Sequence, residues 1–283
     1  MWSYKCLLDI YSFMEKHQKT ILHISRVLFI AAFVLALAGQ GHAQKLEEQE
    51  VEEMSTSRPD LTQGTYITPQ KMVQIEAGLS YWKDTPKEQE VKARAYPEVL
   101  VRLGLLKWLE LRLQGSVQDS VIRENTLRRR VSGVGPWSAG LRVRLLEEKG
   151  LLPAVALQST VRLPFGDDEV TPAHAEPEFT LAVSKEFSQQ ISMTYNLGYG
   201  WEEGEPLKSY GVNLEASLSD VVTVYIEAVG EKQRGSRAEH LADMGLLFLL
   251  MPNLQLDFAA GRQLSSAAPD YFLTTGISVR LPR

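Results

Sequence analysis

One cysteine, Cys6, occurs in 283 residues, and it lies ahead of the first apolar run. A chain trimmed behind that run has no thiol, which excludes disulfides, cysteine-ligated metal and a lipid anchor on a cleavage-site cysteine. Basic excess is lacking too. The formal charge is -5, whereas nucleic-acid binders carry a basic face or stripe, so no nucleic-acid partner is expected. After the first apolar run no stretch approaches a membrane-spanning helix, and no segment holds a helical period. Histidine is scarce: only His174 and His240 follow the leader.

The start of the chain carries the first positive signal. Lys16, His17 and Lys19 precede the apolar run Val27 to Ala38, and Gly39-Gln40-Gly41-His42-Ala43 follows. A basic flank, a short apolar stretch and small residues at the cut form a secretory signal, expected to be cleaved after Ala43. The run is short for a membrane helix, which needs about 20 residues. Met14 would give the signal a conventional length, leaving residues 1–13 outside the expressed protein. From Lys45 to Arg58 the chain is polar and acidic, with Glu47, Glu48, Glu50, Glu52 and Glu53. Residues 44–69 are therefore expected to form a flexible leader, and 70–283 the folded part.

That folded part alternates apolar and polar residues again and again, the mark of strands with two different faces. Val73, Ile75, Ala77, Leu79 and Tyr81 oppose Gln74, Glu76 and Ser80. Leu109, Leu111 and Leu113 oppose Glu110, Arg112 and Gln114, and Ile191, Met193, Tyr195, Leu197 and Tyr199 oppose Ser192, Thr194 and Asn196. The same reading places strands near 70–82, 91–103, 108–118, 135–146, 152–163, 176–185, 190–200, 208–218, 221–230, 238–250, 253–262 and 271–282. The expected fold is all-β: a closed antiparallel transmembrane barrel of about 12 strands following a cleaved signal peptide, in a Gram-negative outer membrane. Connections are expected to alternate, long near 83–90, 119–134, 164–175, 202–207, 231–237 and 263–270, and short between, as external loops and periplasmic turns do.

In lipid a spanning β-structure must close, and its charges must point inward. On the outer face a charge costs about 2–4 kcal/mol near the midplane. The inward-facing charges are then Glu76, Glu98, Arg102, Glu110, Arg112, Arg142, Arg144, Glu178, Glu215, Glu227, Asp243 and Asp257. Their mixed signs allow either a solvated pathway or a paired network that fills the barrel. Tyr81, Trp82, Trp108, Trp137, Tyr199, Trp201, Tyr271 and Phe272 fall near strand ends, where aromatic girdles sit.

Arg58-Pro59-Asp60-Leu61-Thr62-Gln63-Gly64, Gln74-Ile75-Glu76-Ala77-Gly78, Tyr96-Pro97-Glu98-Val99-Leu100-Val101-Arg102-Leu103-Gly104, Leu109-Glu110-Leu111-Arg112 and Arg162-Leu163-Pro164-Phe165-Gly166 together resemble an outer-membrane family named for the phenol-degradation meta-pathway and described as transporter-like. Leu-Pro-Phe-Gly stands where that group usually has Leu-Pro-Thr-Gly. The resemblance implies an outer-membrane barrel without catalytic residues, and it implies no particular solute.

Transport of small solutes through a charged lumen is therefore the expected role, in a porin-like barrel. A non-conducting structural or surface-interaction barrel is the alternative, and an outer-membrane lipid-acting enzyme the weakest reading, since neither His174 nor His240 has a recognisable serine companion. No cofactor or metal is expected; the run Asp167-Asp168-Glu169 reads as a solvated loop. Expected partners are outer-membrane lipid and lipopolysaccharide, the barrel-assembly machinery and an unidentified small-molecule solute; Arg128-Arg129-Arg130 reads either as a contact for lipopolysaccharide or as a hydrated loop.

Overall fold

The computed structural model describes residues 54–85 and 89–282. The expected signal peptide and the first part of the expected leader, 44–53, lie outside the described residues. Thirteen strands follow one another: β1 (Val73–Asp84), β2 (Gln89–Leu106), β3 (Leu109–Glu124), β4 (Leu127–Val134), β5 (Trp137–Leu146), β6 (Ala154–Leu163), β7 (Glu176–Glu186), β8 (Ile191–Glu202), β9 (Glu205–Ser217), β10 (Val222–Gln233), β11 (Glu239–Met251), β12 (Leu254–Gln263) and β13 (Tyr271–Leu281). No helix occurs among the described residues.

Each strand pairs antiparallel with the next in the chain, except that β3 pairs with both β4 and β5; β1 pairs with β13 and β2 with β3, so the sheet closes on itself. The wall counts twelve strands, because β4 and β5 are two halves of one. Leu109 to Gln114 of β3 pair with β5, while Val117 to Glu124 pair with β4. The break between them is Gly135-Pro136: proline donates no ladder bond, and Gly135 takes a φ of 124° that a side chain would strain. β2 is interrupted in the same way, its register shifting between Ala95 and Glu98 across Tyr96-Pro97.

Alternation explains the faces. On β8, Ile191, Tyr195, Leu197 and Tyr199 are exposed while Asn196 is buried; on β13, Leu273 and Ile277 are exposed while Phe272 and Ser278 are buried. A water-soluble protein hides such leucines. Here the outer face is apolar and the buried interior is polar, the arrangement required when hydrocarbon surrounds the wall and every backbone group is paired within it.

Two expectations are corrected. The stretch 119–134 is not a loop: most of it is the β3–β4 hairpin. Nor is the alternation of connections clean. β8 and β9 are joined by Glu203-Gly204 alone, both at positive φ as a tight hairpin requires, whereas the connection from β5 to β6 runs from Glu147 to Pro153.

Candidate functional site

The interior is not an open tube. Residues 54–72 enter at the end where β1 begins, the lower end, rise into the barrel and return to it. Ser57 N–H donates to Glu76 (2.9 Å), Leu61 and Thr62 N–H to the two oxygens of Glu227 (2.6 and 2.9 Å), Gln63 N–H to Asn196 (2.5 Å), and Thr68 N–H to Glu110 (2.7 Å). Glu227 and Asn196 lie midway along β10 and β8, so the apex of this strap, Leu61 to Gln63, sits halfway up. The sequence expectation of a flexible leader through 69 differs from this: residues 54–69 are a fixed part of the interior. The acidic run ends at Glu53, and from Met54 to Thr68 the only acid is Asp60. That shift in composition was the available sign.

As far as Pro69 the strap binds through side chains of the wall rather than through the β-ladder; at its return Lys71 N–H donates to the Gly104 carbonyl (2.9 Å) and Gly104 N–H to the Met72 carbonyl (3.0 Å). Arg102 is the densest node. Its five N–H groups, all that a guanidinium has, go to Glu110 Oε1 (3.0 Å), Glu110 Oε2 (2.9 Å), Glu76 Oε1 (3.0 Å) and the carbonyls of Ser55 (2.9 Å) and Tyr66 (3.3 Å). Arg112 donates to Glu110 (2.8 Å), Ser57 Oγ (3.0 Å) and Gln63 (3.4 Å). Arg142 donates to Gln63 (2.7 Å), Gln158 (2.6 Å) and the Tyr66 carbonyl (3.2 Å). Buried charges persist when paired and hydrogen-bonded; Arg102 and Arg112 meet both conditions, whereas Arg142 is held by amide and carbonyl oxygens.

The strap's own charge is held as closely. Arg58 reaches Thr274 Oγ1 (2.6 Å), the Thr275 carbonyl (3.1 Å), Glu98 (3.3 Å) and Asp257 (3.6 Å). It lies against Gly78 and Gly276, which face each other on β1 and β13. A Cβ at Gly78 would stand 2.1 Å from the Arg58 Cζ, and one at Gly276 2.5 Å from its Nε. Gly104 receives the returning strap in the same manner, a Cβ there falling 2.1 Å from the Pro69 carbonyl oxygen. The wall is cut to fit the strap.

Of the twelve charges expected to face inward, Glu76, Arg102, Glu110, Arg112, Arg142, Glu227, Asp243 and Asp257 are buried. Glu98 is partly buried on Arg58 and Ser80; Glu178 borders the upper cavities; Glu215 borders the lower one. Arg144 sits at the lower rim beside Glu147 (3.4 Å). Among the aromatics, Trp108, Trp137, Tyr199, Trp201 and Tyr271 are exposed near strand ends. Phe272 is not a girdle residue: it is buried and stacks on Trp82 at 4.4 Å inside the barrel. His240 meets the Tyr210 hydroxyl (3.1 Å), and the Asp167 carboxylate staples the Val134 N–H (2.8 Å). Among the described residues no group of three acidic, histidine or cysteine side chains is arranged to hold a metal.

The strap divides the space. Above it lie cavities of 490 and 260 Å³ bordered by Gln114, Ser138, Thr160 and Glu178. Below it is one of 410 Å³ bordered by Asp60, Glu186, Glu215 and Gln255. Arg58 and Asp60 touch both the lower cavity and a 210 Å³ pocket that opens beside Trp82 and Glu98.

Comparison with known proteins agrees with this architecture. A crystal structure of an outer membrane channel from Pseudomonas putida F1 superposes with a TM-score of 0.58 at 12% identity, covering 81% of this chain and 100% of that one. The transport unit of the autotransporter AIDA-I from Escherichia coli superposes with a TM-score of 0.50 at 9% identity, covering 83% and 94%. No curated protein matches the sequence. The model of the family described as "Putative MetA-pathway of phenol degradation" matches residues 56–281, and the chain belongs to that family.

Proposed function

We propose that the protein is a non-enzymatic outer-membrane channel that passes small solutes through its charged interior, with residues 54–69 as the closure. The lower end then faces the periplasm and the β3–β4 hairpin faces outward. The observation that carries this reading is the division of one polar interior into upper and lower cavities by a strap whose residues 54–69 contribute nothing to the β-ladder. Its withdrawal breaks side-chain hydrogen bonds while every strand pair stays intact. The like-folded Pseudomonas putida protein is a channel, which supports the same class here.

The Arg102–Glu76–Glu110–Arg112 cluster favours a second reading, a barrel whose lumen is filled for structural reasons. Single-channel recording of the refolded mature protein, residues 44–283, separates the two. Stepwise conductance supports the channel; a folded, inserted and silent barrel at all potentials supports the filled one.

A further inference from the structure

On the outer wall the apolar surface is not flat. A groove of 960 Å³ crosses six adjacent strands, from β2 through β1, β13, β12 and β11 to β10. Its sides are the exposed Leu79, Ile226, Leu246, Phe258 and Leu273, and the short side chains of Ala260 and Thr275 lie between them. The groove ends upward at Tyr81 and Arg94, whose guanidinium stands 5.9 Å above the Tyr81 ring.

Above that end the charge changes abruptly. By strand register, Lys83, Lys92, Arg94, Arg123, Arg128 and Arg262 all share the outer face with Tyr81. Lys83 stands directly opposite Lys92, and Arg123 directly opposite Arg128. Like charges paired across strands are destabilising. Among the described residues one carboxylate, Glu90, is shared among Lys83 (3.6 Å), Lys92 (3.2 Å) and Arg123 (3.7 Å), and the other acid on this face, Asp119, is held by Arg130 (2.6 Å). Among the described residues of this face the cations outnumber the anions, just above the exposed apolar band.

We infer that this face binds a phosphorylated, multiply acylated glycolipid of the outer leaflet, of the lipopolysaccharide type, with its phosphates on the Lys83–Arg94–Arg123–Arg128 cluster and an acyl chain in the groove below. Guanidinium groups pair with phosphate in bidentate fashion, and the cross-strand like-charge pairs are relieved when an anion lies over them. The inference rests on the outer-membrane reading above.

The test uses the refolded mature chain in detergent, with bisphosphorylated lipid A, the same lipid A with both phosphates removed, and phosphatidylglycerol as probes. Bound lipid is read by native mass spectrometry. Bisphosphorylated lipid A is expected to remain bound in preference to the other two. Each basic residue near an anionic surface contributes roughly a fivefold change in binding, so the variant R94Q/R123Q/R128Q is expected to bind lipid A roughly 100-fold more weakly. A260W, which fills the groove without altering charge, is expected to weaken lipid A binding as well. Equal retention of dephosphorylated lipid A or of phosphatidylglycerol, or a dimer of the protein occupying this face, overturns the inference. Insertion into planar bilayers is followed on the same samples: a barrel that inserts but does not discriminate among the lipids overturns the glycolipid site alone, and one that never inserts overturns the membrane reading with it.

Discussion

Arg102 and Arg58 are the residues on which the interior turns, and they act differently. Arg102 is enclosed by two wall carboxylates and by strap carbonyls, with no N–H left over. Removing one partner of such a pair leaves an uncompensated buried charge at a cost of about 3–5 kcal/mol. E110Q is accordingly expected to lower the midpoint of urea unfolding, followed by heat-modifiable migration on a gel, more than E147Q at the exposed rim. Equal midpoints would show that the cluster carries no stability. Arg58 instead joins the strap to the wall, so its loss is expected to show in gating. Gly104 offers a third handle. The contact there is backbone oxygen, which cannot swing away as a side chain can, so G104V is expected to raise the open fraction in single-channel records without changing barrel migration.

Strands were legible because a period of two survives in sequence wherever one face meets hydrocarbon and the other meets polar groups. Leu109 to Gln114 and Ile191 to Tyr199 follow it without exception, and their faces in the structure are those the alternation gives. The same logic predicts that L197R, on the lipid side of β8 where Leu197 is 66% exposed, destabilises the barrel by about 2–4 kcal/mol, measured by unfolding in lipid vesicles. What alternation could not reveal is where a regular pattern ends. The β3–β4 hairpin reads as loop because Arg128-Arg129-Arg130 lacks an apolar partner on either face, although its backbone is fully laddered. Trp82 and Phe272 lie near strand ends, as girdle residues do, but their parity with Ser80 and Thr274 turns them inward. The strap escaped for a different reason: its hydrogen bonds go to side chains far along the chain, such as Glu227 and Asn196, and no local period records that.

At the scale of the whole molecule, a closed wall with a removable inner segment gives the channel account its content. The upper cavities are bordered by Glu98, Glu178, Glu231 and Glu239, with Arg112 and Arg162 as the bordering cations, so the open state is expected to prefer cations. A reversal potential measured across a tenfold salt gradient checks this, best at low ionic strength because charges are screened within about 10 Å at 0.1 M; anion preference would contradict it. The most direct test of the central claim is single-channel conductance of the mature protein beside its R58A variant in planar bilayers. Stepwise currents are expected, brief or small for the parent and larger or longer-lived once Arg58 no longer holds the strap to Glu98, Asp257 and Thr274. Folded, inserted barrels of both forms that stay silent would contradict it.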